Sequence, residues 1–167
     1  MTPALPGLDR TALLEGLVLS AHQAGQAIWQ IYQADFDVTI KADASPVTLA
    51  DTAAEAIILA DLARLAPGIA VVAEEEVAAG RIPAIGRAFF VVDPLDGTKE
   101  FVQRRGDFTV NIALIEDGQP SLGLVYAPAK NRMFAGDVTL KTAWTQEVAP
   151  DQALSQASPR QIGRAHV

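Results

Sequence analysis

The sequence contains no cysteine and only two histidines, His22 and His166. Disulfide frameworks, thiol nucleophiles and the usual Cys/His zinc sites are therefore excluded. Positive charge is scarce as well. Thirteen Lys and Arg stand against twenty Asp and Glu, a formal net charge of −7, the wrong sign for a chain that grips a polynucleotide by neutralising phosphates. Long apolar runs are missing too. Ile69 to Ala73 and Ala88 to Val92 reach five residues, against roughly 18 for a membrane-spanning helix. Near the amino terminus Asp9, Arg10 and Glu15 interrupt the stretch where a signal-peptide core would lie, so a cytoplasmic location is expected.

What remains is the composition of a folded domain. Half of the 167 residues are apolar and 20% are charged, which fits one buried core and neither a disordered nor a fibrous chain. From Leu8 to Tyr32, Leu13, Leu17, Ala21, Ala24, Ile28 and Tyr32 recur at spacings of three and four, the stripe of an amphipathic helix. His22 and Trp29 lie on or beside that stripe and are read as packing residues. Residues 36–40 alternate like a strand, and a polar turn follows over 41–46. A second helix starts near Thr48, with Asp51 three residues on as in a capping box. Pro67-Gly68 ends it.

Two apolar strands come next, each ending in carboxylates: residues 69–73 run into Glu74-Glu75-Glu76, and residues 88–92 run into Asp93. Further on, Asp117-Gly118 separates two strand-like runs and reads as a hairpin turn, with Val110, Ile112 and Leu114 on one face. The pattern fades past Lys141. Residues 1–145 form one domain in this reading, and 146–167 form a poorly ordered tail.

The stretch Asp93-Pro94-Leu95-Asp96-Gly97-Thr98 carries the chemistry. Asp93 and Asp96 can aim two carboxylates at one point across a turn tightened by Pro94, and Gly97 lets backbone N–H groups approach an anion. The competing reading is an Asx turn in which Asp93 caps its own loop. If the two apolar strands are neighbours, Glu74 emerges at the same edge as Asp93 and Asp96, and three such carboxylates require a cation to stay ionised together. Oxygen-only donors select a hard ion, and Mg²⁺ is the one held by a few carboxylates while substrate phosphate completes its shell. A solvated acidic turn is the competing reading for residues 74–76. No Ser/His or Cys/His pair stands in a comparable setting, so covalent acyl transfer has no support.

Four segments carry a family resemblance: Lys41 through Asp51 (KADASPVTLAD), Val72 to Glu75, Phe90 through Phe101 (FVVDPLDGTKEF) and Gly106 through Ile115 (GDFTVNIALI). Together they resemble the lithium-sensitive, magnesium-dependent phosphatases of the inositol monophosphatase superfamily. Lys-Glu-Phe directly after Asp-Gly-Thr is most similar to its 3′(2′),5′-bisphosphate nucleotidase branch. The resemblance implies an α+β fold, two N-terminal helices on a largely antiparallel sheet, the first half of a layered αβαβα sugar-phosphatase fold. It also implies phosphate-monoester hydrolysis, with adenosine 3′,5′-bisphosphate or an inositol phosphate as substrate. On this resemblance Glu74, Asp93 and Asp96 bind Mg²⁺ by side chains and Leu95 by its carbonyl. Thr98 and Glu74 orient the attacking water, Asp51 supports Thr98, and the amides of Gly97 and Thr98 hold phosphate. Lys41 and Asp43 belong to a loop over the site.

One departure stands out. The family's second domain supplies a further aspartate ligand from a Trp-Asp pair, whereas Trp29 is followed here by Gln30 and Trp144 by Thr145. The sequence therefore reads as the amino-terminal part alone, with Arg160 to Val167 as a non-native continuation. An uncovered sheet face or edge, and hence self-association or low stability, is expected. The alternative to turnover is a catalytically silent fragment that binds metal or phosphate.

Overall fold

The computed structural model describes residue 5, residues 7–41, 46–154 and 160–163. Asp43 and the rest of 42–45 lie outside the described residues. Helix α1 (Arg10–Gln33) starts where the Asp9 carboxylate accepts the Ala12 N–H at 3.0 Å, satisfying one of the amides a helix start leaves unpaired. It buries Leu13, Leu17, Ala21, Ala24 and Ile28, the stripe read from the sequence. A short hairpin of β1 (Val38–Ile40) and β2 (Pro46–Thr48) precedes α2 (Leu49–Leu65). The capping box forms as expected, with Thr48 and Asp51 satisfying each other's backbone groups.

The remaining strands build one seven-stranded sheet in chain order: β3 (Ala70–Ala73), β4 (Ala88–Asp96), β5 (Thr109–Glu116), β6 (Gln119–Ala127), β7 (Arg132–Asp137), β8 (Thr142–Glu147) and β9 (Arg160–Gly163). Only β3 and β4 run parallel; every other pairing is antiparallel. The expected α+β architecture is thus present. The Asp117-Gly118 turn sits at positive φ between β5 and β6, as its hairpin chemistry requires. Helices α1 and α2 cover one face of the sheet. There Phe90, Val92, Val110, Ile112, Leu114, Leu122, Leu124 and Tyr126 are buried.

Period-2 alternation puts Val91, Ala113, Gly123, Val125, Phe134 and Gly136 on the opposite face. Val91, Val125 and Phe134 are exposed there. An antiparallel sheet with one wet face normally carries polar residues on it. This one is apolar on both.

The tail departs from its reading. Gln146 and Val148 are buried, the Val148 N–H donates to the Asn131 carbonyl, and the Val148 carbonyl accepts from the Tyr126 hydroxyl at 3.2 Å. His22 Nε2 lies 3.2 Å from the Ala149 carbonyl oxygen, consistent with a packing role. The segment therefore packs through 154, and β9 adds a strand at the far edge. Its order comes from long-range partners, which local periodicity does not report. No helix among the described residues is long and apolar enough to cross a membrane.

Candidate metal centre

The parallel pairing of β3 with β4 sets Ala73 against Val92, so Glu74, the first residue beyond β3, and Asp93, near the end of β4, follow side by side. Two short helices grow from these strand ends. Helix α3 (Glu74–Ala78) follows β3 directly, and α4 (Thr98–Val102) follows β4 after Gly97. Neither was read from the sequence, since five residues are too few for a periodic signal. A register shift between Asp93 and Asp96 kinks the strand where Pro94 can give no N–H to the ladder.

The Asx turn read for Asp93 is present. Its Oδ1 accepts the Leu95 N–H at 3.2 Å, closing an Asx turn, and its carboxyl also shares a hydrogen bond with Glu74. Burial, then the Glu74 contact and the charge of Asp96, push the Asp93 carboxyl up to about 7. Like charges at short range cost each other their ionisation. Asp96 is exposed and takes a hydrogen bond from the Asn111 amide at 3.3 Å.

Lys41 supplies the countercharge. Its ammonium donates to Glu74 at 2.9 Å and to Glu75 at 2.6 Å. Burial would lower the Lys41 pKa, but these bonds and charges outweigh it and raise it. Among the described residues no group of three acidic or imidazole side chains is already arranged to hold a metal ion. The expectation of three converging carboxylates is corrected to that extent. Glu74 and Asp93 touch and Asp96 acts on Asp93 through its charge, while Lys41 and Asn111 take up the outer oxygens.

By donor chemistry the set still fits a hard divalent ion. It offers three carboxylates and a nearby backbone carbonyl, and the burial and neighbouring acids that raise the Asp93 pKa are what a cation would offset.

Behind this rim, Thr98 Oγ1 lies 3.0 Å from Asp51 Oδ1 and 3.0 Å from the Leu95 carbonyl oxygen. Asp51 is fully buried. Burial raises its pKa, opposed by hydrogen bonds from Thr48 and Thr98. Phe101, three residues after Thr98 on α4, is buried against Tyr32, Phe36 and Phe108 with ring centroids 4.8 to 5.2 Å away. The Arg104 guanidinium covers Phe36 at 4.5 Å and donates to the Tyr32 and Ala34 carbonyls. These supports join residues far apart in the chain, so short motifs could not reveal them. Sequence reading also missed Glu55 on α2, whose carboxylate accepts the N–H groups of Glu75 and Glu76 at 2.8 and 3.0 Å.

Gly97 has φ 88°, and a Cβ there would meet the Asp107 backbone oxygen at 2.6 Å. Gly97→Ala is therefore expected to cost about 2 kcal/mol or more, from the left-handed penalty and overpacking together. A melting temperature within a degree of the parent would contradict this.

The sequence profile described as the Inositol monophosphatase family matches residues 9–161. The chain is 46% identical over 137 residues to 3′(2′),5′-bisphosphate nucleotidase CysQ of Shigella flexneri, covering 81% of this chain and 55% of that protein. The crystal structure of CysQ from Bacteroides thetaiotaomicron is 29% identical with a TM-score of 0.69, over 96% of this chain and 61% of that one. The structure of 2′AMP-bound SaIMPase-II is 25% identical with a TM-score of 0.62, over 81% of this chain and 47% of that one. The chain thus spans about half the length of the curated relatives it matches. With the fold, the strand-end acids and the Thr98–Asp51 contact in one place, the chain belongs to the inositol monophosphatase family.

Proposed function

We propose that this chain carries the metal-binding part of a Mg²⁺-dependent phosphomonoesterase, whose substrate is a 3′(2′),5′-nucleoside bisphosphate such as adenosine 3′,5′-bisphosphate, cleaved to AMP and phosphate. The observation that carries this reading is the contact of Glu74, just past the end of β3, with Asp93 near the end of the adjacent parallel strand β4, beside the Thr98–Asp51 hydrogen bond. Glu74, Asp93 and Asp96 side chains and the Leu95 carbonyl are the proposed ligands. When bound, Mg²⁺ supplies Lewis acidity toward a phosphoryl oxygen and makes a water more acidic.

The chain's own groups do the rest. The Thr98 hydroxyl has one proton; given to Asp51, it leaves the oxygen lone pairs to accept from an attacking water, which Glu74 helps to orient. The Gly97 and Thr98 amides hold the phosphate at the short turn into α4. Lys41, which donates to Glu74 and Glu75 at the rim, places a positive charge beside the site for the substrate's negative charge. Asp43 is assigned to the loop over the site by resemblance alone.

The nucleotidase branch is favoured over an inositol monophosphatase because the relative from Shigella flexneri carries that name at 46% identity. Phosphate release from adenosine 3′,5′-bisphosphate and from inositol 1-phosphate, each with and without Mg²⁺ and Li⁺, tests the choice. Release from the nucleotide that needs Mg²⁺ and is blocked by Li⁺ is expected. Faster release from inositol phosphate overturns the branch assignment. Mn²⁺ binding without release from either leaves the reading of a chain that binds metal without turnover.

The apolar outer face of the sheet supports self-association. Sedimentation velocity is expected to show species larger than a monomer growing with concentration. A clean monomer with a cooperative melt contradicts it.

A further inference from the structure

Helix α3 has an unusual start. Its N-cap is Ala73, which has no side chain able to accept a hydrogen bond, so the first-turn amides need a partner from elsewhere. Glu55 provides it from α2. Its two oxygens take the Glu75 and Glu76 amides at 2.8 and 3.0 Å, and the residue is only 4% exposed. Asp51 lies one turn earlier on the same buried side of α2 and holds Thr98. One helix thus grips both sides of the site through carboxylates four residues, about one helical turn, apart in sequence. Asp51 holds the start of α4, and Glu55 holds the start of α3, where Glu74 is the first residue.

A carboxylate is an improbable choice for stability alone in this place. Glu75 and Glu76 crowd it, and burial together with their charges disfavours its ionised form against the two amides that support it. Lys41 and Arg81 are the cations on that cluster, and both bind other acids: Lys41 pairs with Glu74 and Glu75, Arg81 with Glu76. A neutral amide in place of Glu55 would spare the crowding but offers one acceptor oxygen where the Glu75 and Glu76 N–H groups now use two.

We infer that Glu55 is a positioning residue for the metal ligand Glu74: by capping α3 from the neighbouring helix it fixes where Glu74 stands relative to Asp93 and Thr98. This rests on the proposed role of Glu74 as a ligand. Loss of a hydrogen-bond partner standing behind a ligand typically weakens metal affinity by about 10- to 100-fold.

The test measures Mn²⁺ affinity by electron paramagnetic resonance, and melting temperature, for the chain and for Glu55→Gln and Asp9→Ala. Asp9 caps α1 away from the site, so it reports what loss of a helix cap alone does. Expected are Mn²⁺ binding by the chain, binding at least about tenfold weaker in Glu55→Gln, and unchanged binding in Asp9→Ala. Binding by Glu55→Gln within twofold of the chain overturns the inference and leaves the metal assignment standing, as does equal weakening in both variants. Absence of Mn²⁺ binding by the chain itself overturns both. If Glu55→Gln does not fold, hydrogen exchange of the Glu75 and Glu76 amides in the unmutated chain decides: strong protection supports the cap, and exchange at the rate of an open loop overturns it.

Discussion

Asp93→Asn is expected to abolish Mg²⁺-dependent phosphate release and to weaken Mn²⁺ binding by more than about 100-fold, beyond the range seen when only a ligand's supporting partner is lost. The same substitution should leave the metal-free melting temperature unchanged or raise it. Asp93 is half-buried, in hydrogen-bond contact with Glu74 and under the charge of Asp96. An amide of the same shape still closes the turn to the Leu95 N–H and no longer brings a third negative charge to the rim. A variant that binds Mn²⁺ normally would remove Asp93 from the ligand set. One that loses binding together with several degrees of melting temperature would show that the carboxylate serves the fold.

Arg10→Met should destabilise the chain by about 3–5 kcal/mol, more than Gly97→Ala does. For a chain of this length that is a fall of about 10 °C or more. Arg10 opens α1 and is 9% exposed; its guanidinium reaches Glu116 at 2.6 Å and Asp137 at 2.8 Å, with the Ser121 carbonyl at 3.3 Å. It ties the first helix to the ends of three strands. Without it, two largely buried carboxylates lose their cation, and such a charge costs far more unpaired than the pair contributes.

The acid limb gives this prediction a sign. Burial would raise the Glu116 pKa, but hydrogen bonds from Ser121 and Arg10 outweigh it and hold it below the ordinary value. A depressed folded-state pKa adds stability above the unfolded carboxylate's value of about 4.3 and loses it as pH falls through the folded value. The gap in melting temperature between the chain and Arg10→Met should therefore be widest near neutrality and narrow as pH falls below about 4. A gap that is the same at pH 3 and pH 7 would assign the loss to the packing of the arginine stem instead.

Much of the fold was legible in the chain itself. The α1 stripe, the Thr48 capping box, the two apolar strands and the Asp117-Gly118 hairpin are local patterns, and each reports a local cause: helical periodicity, a side chain capping an amide, or a turn that demands positive φ. The carboxylates at the strand ends were visible for the same reason, because a strand leaving the core exposes whatever follows it. The stretch from Gln146 to Ala149 carries no local signal of its packing, since Val148 is held by Tyr126 and Asn131 and not by its neighbours in sequence.

From its own residues, then, the sequence determined the two long helices, the two apolar strands and the hairpin after them, the lack of thiols, and which acids follow the strands. Tertiary structure decided three further things. It made β3 and β4 parallel neighbours, so that Glu74 meets Asp93. It gave Asp51 and Glu55 their partners across the core, and it placed Arg10 between two strand-end carboxylates. The reason is range: hydrogen bonds and charges act over a few ångströms of space, whereas a pattern along the chain reports only what lies within a turn or two of it.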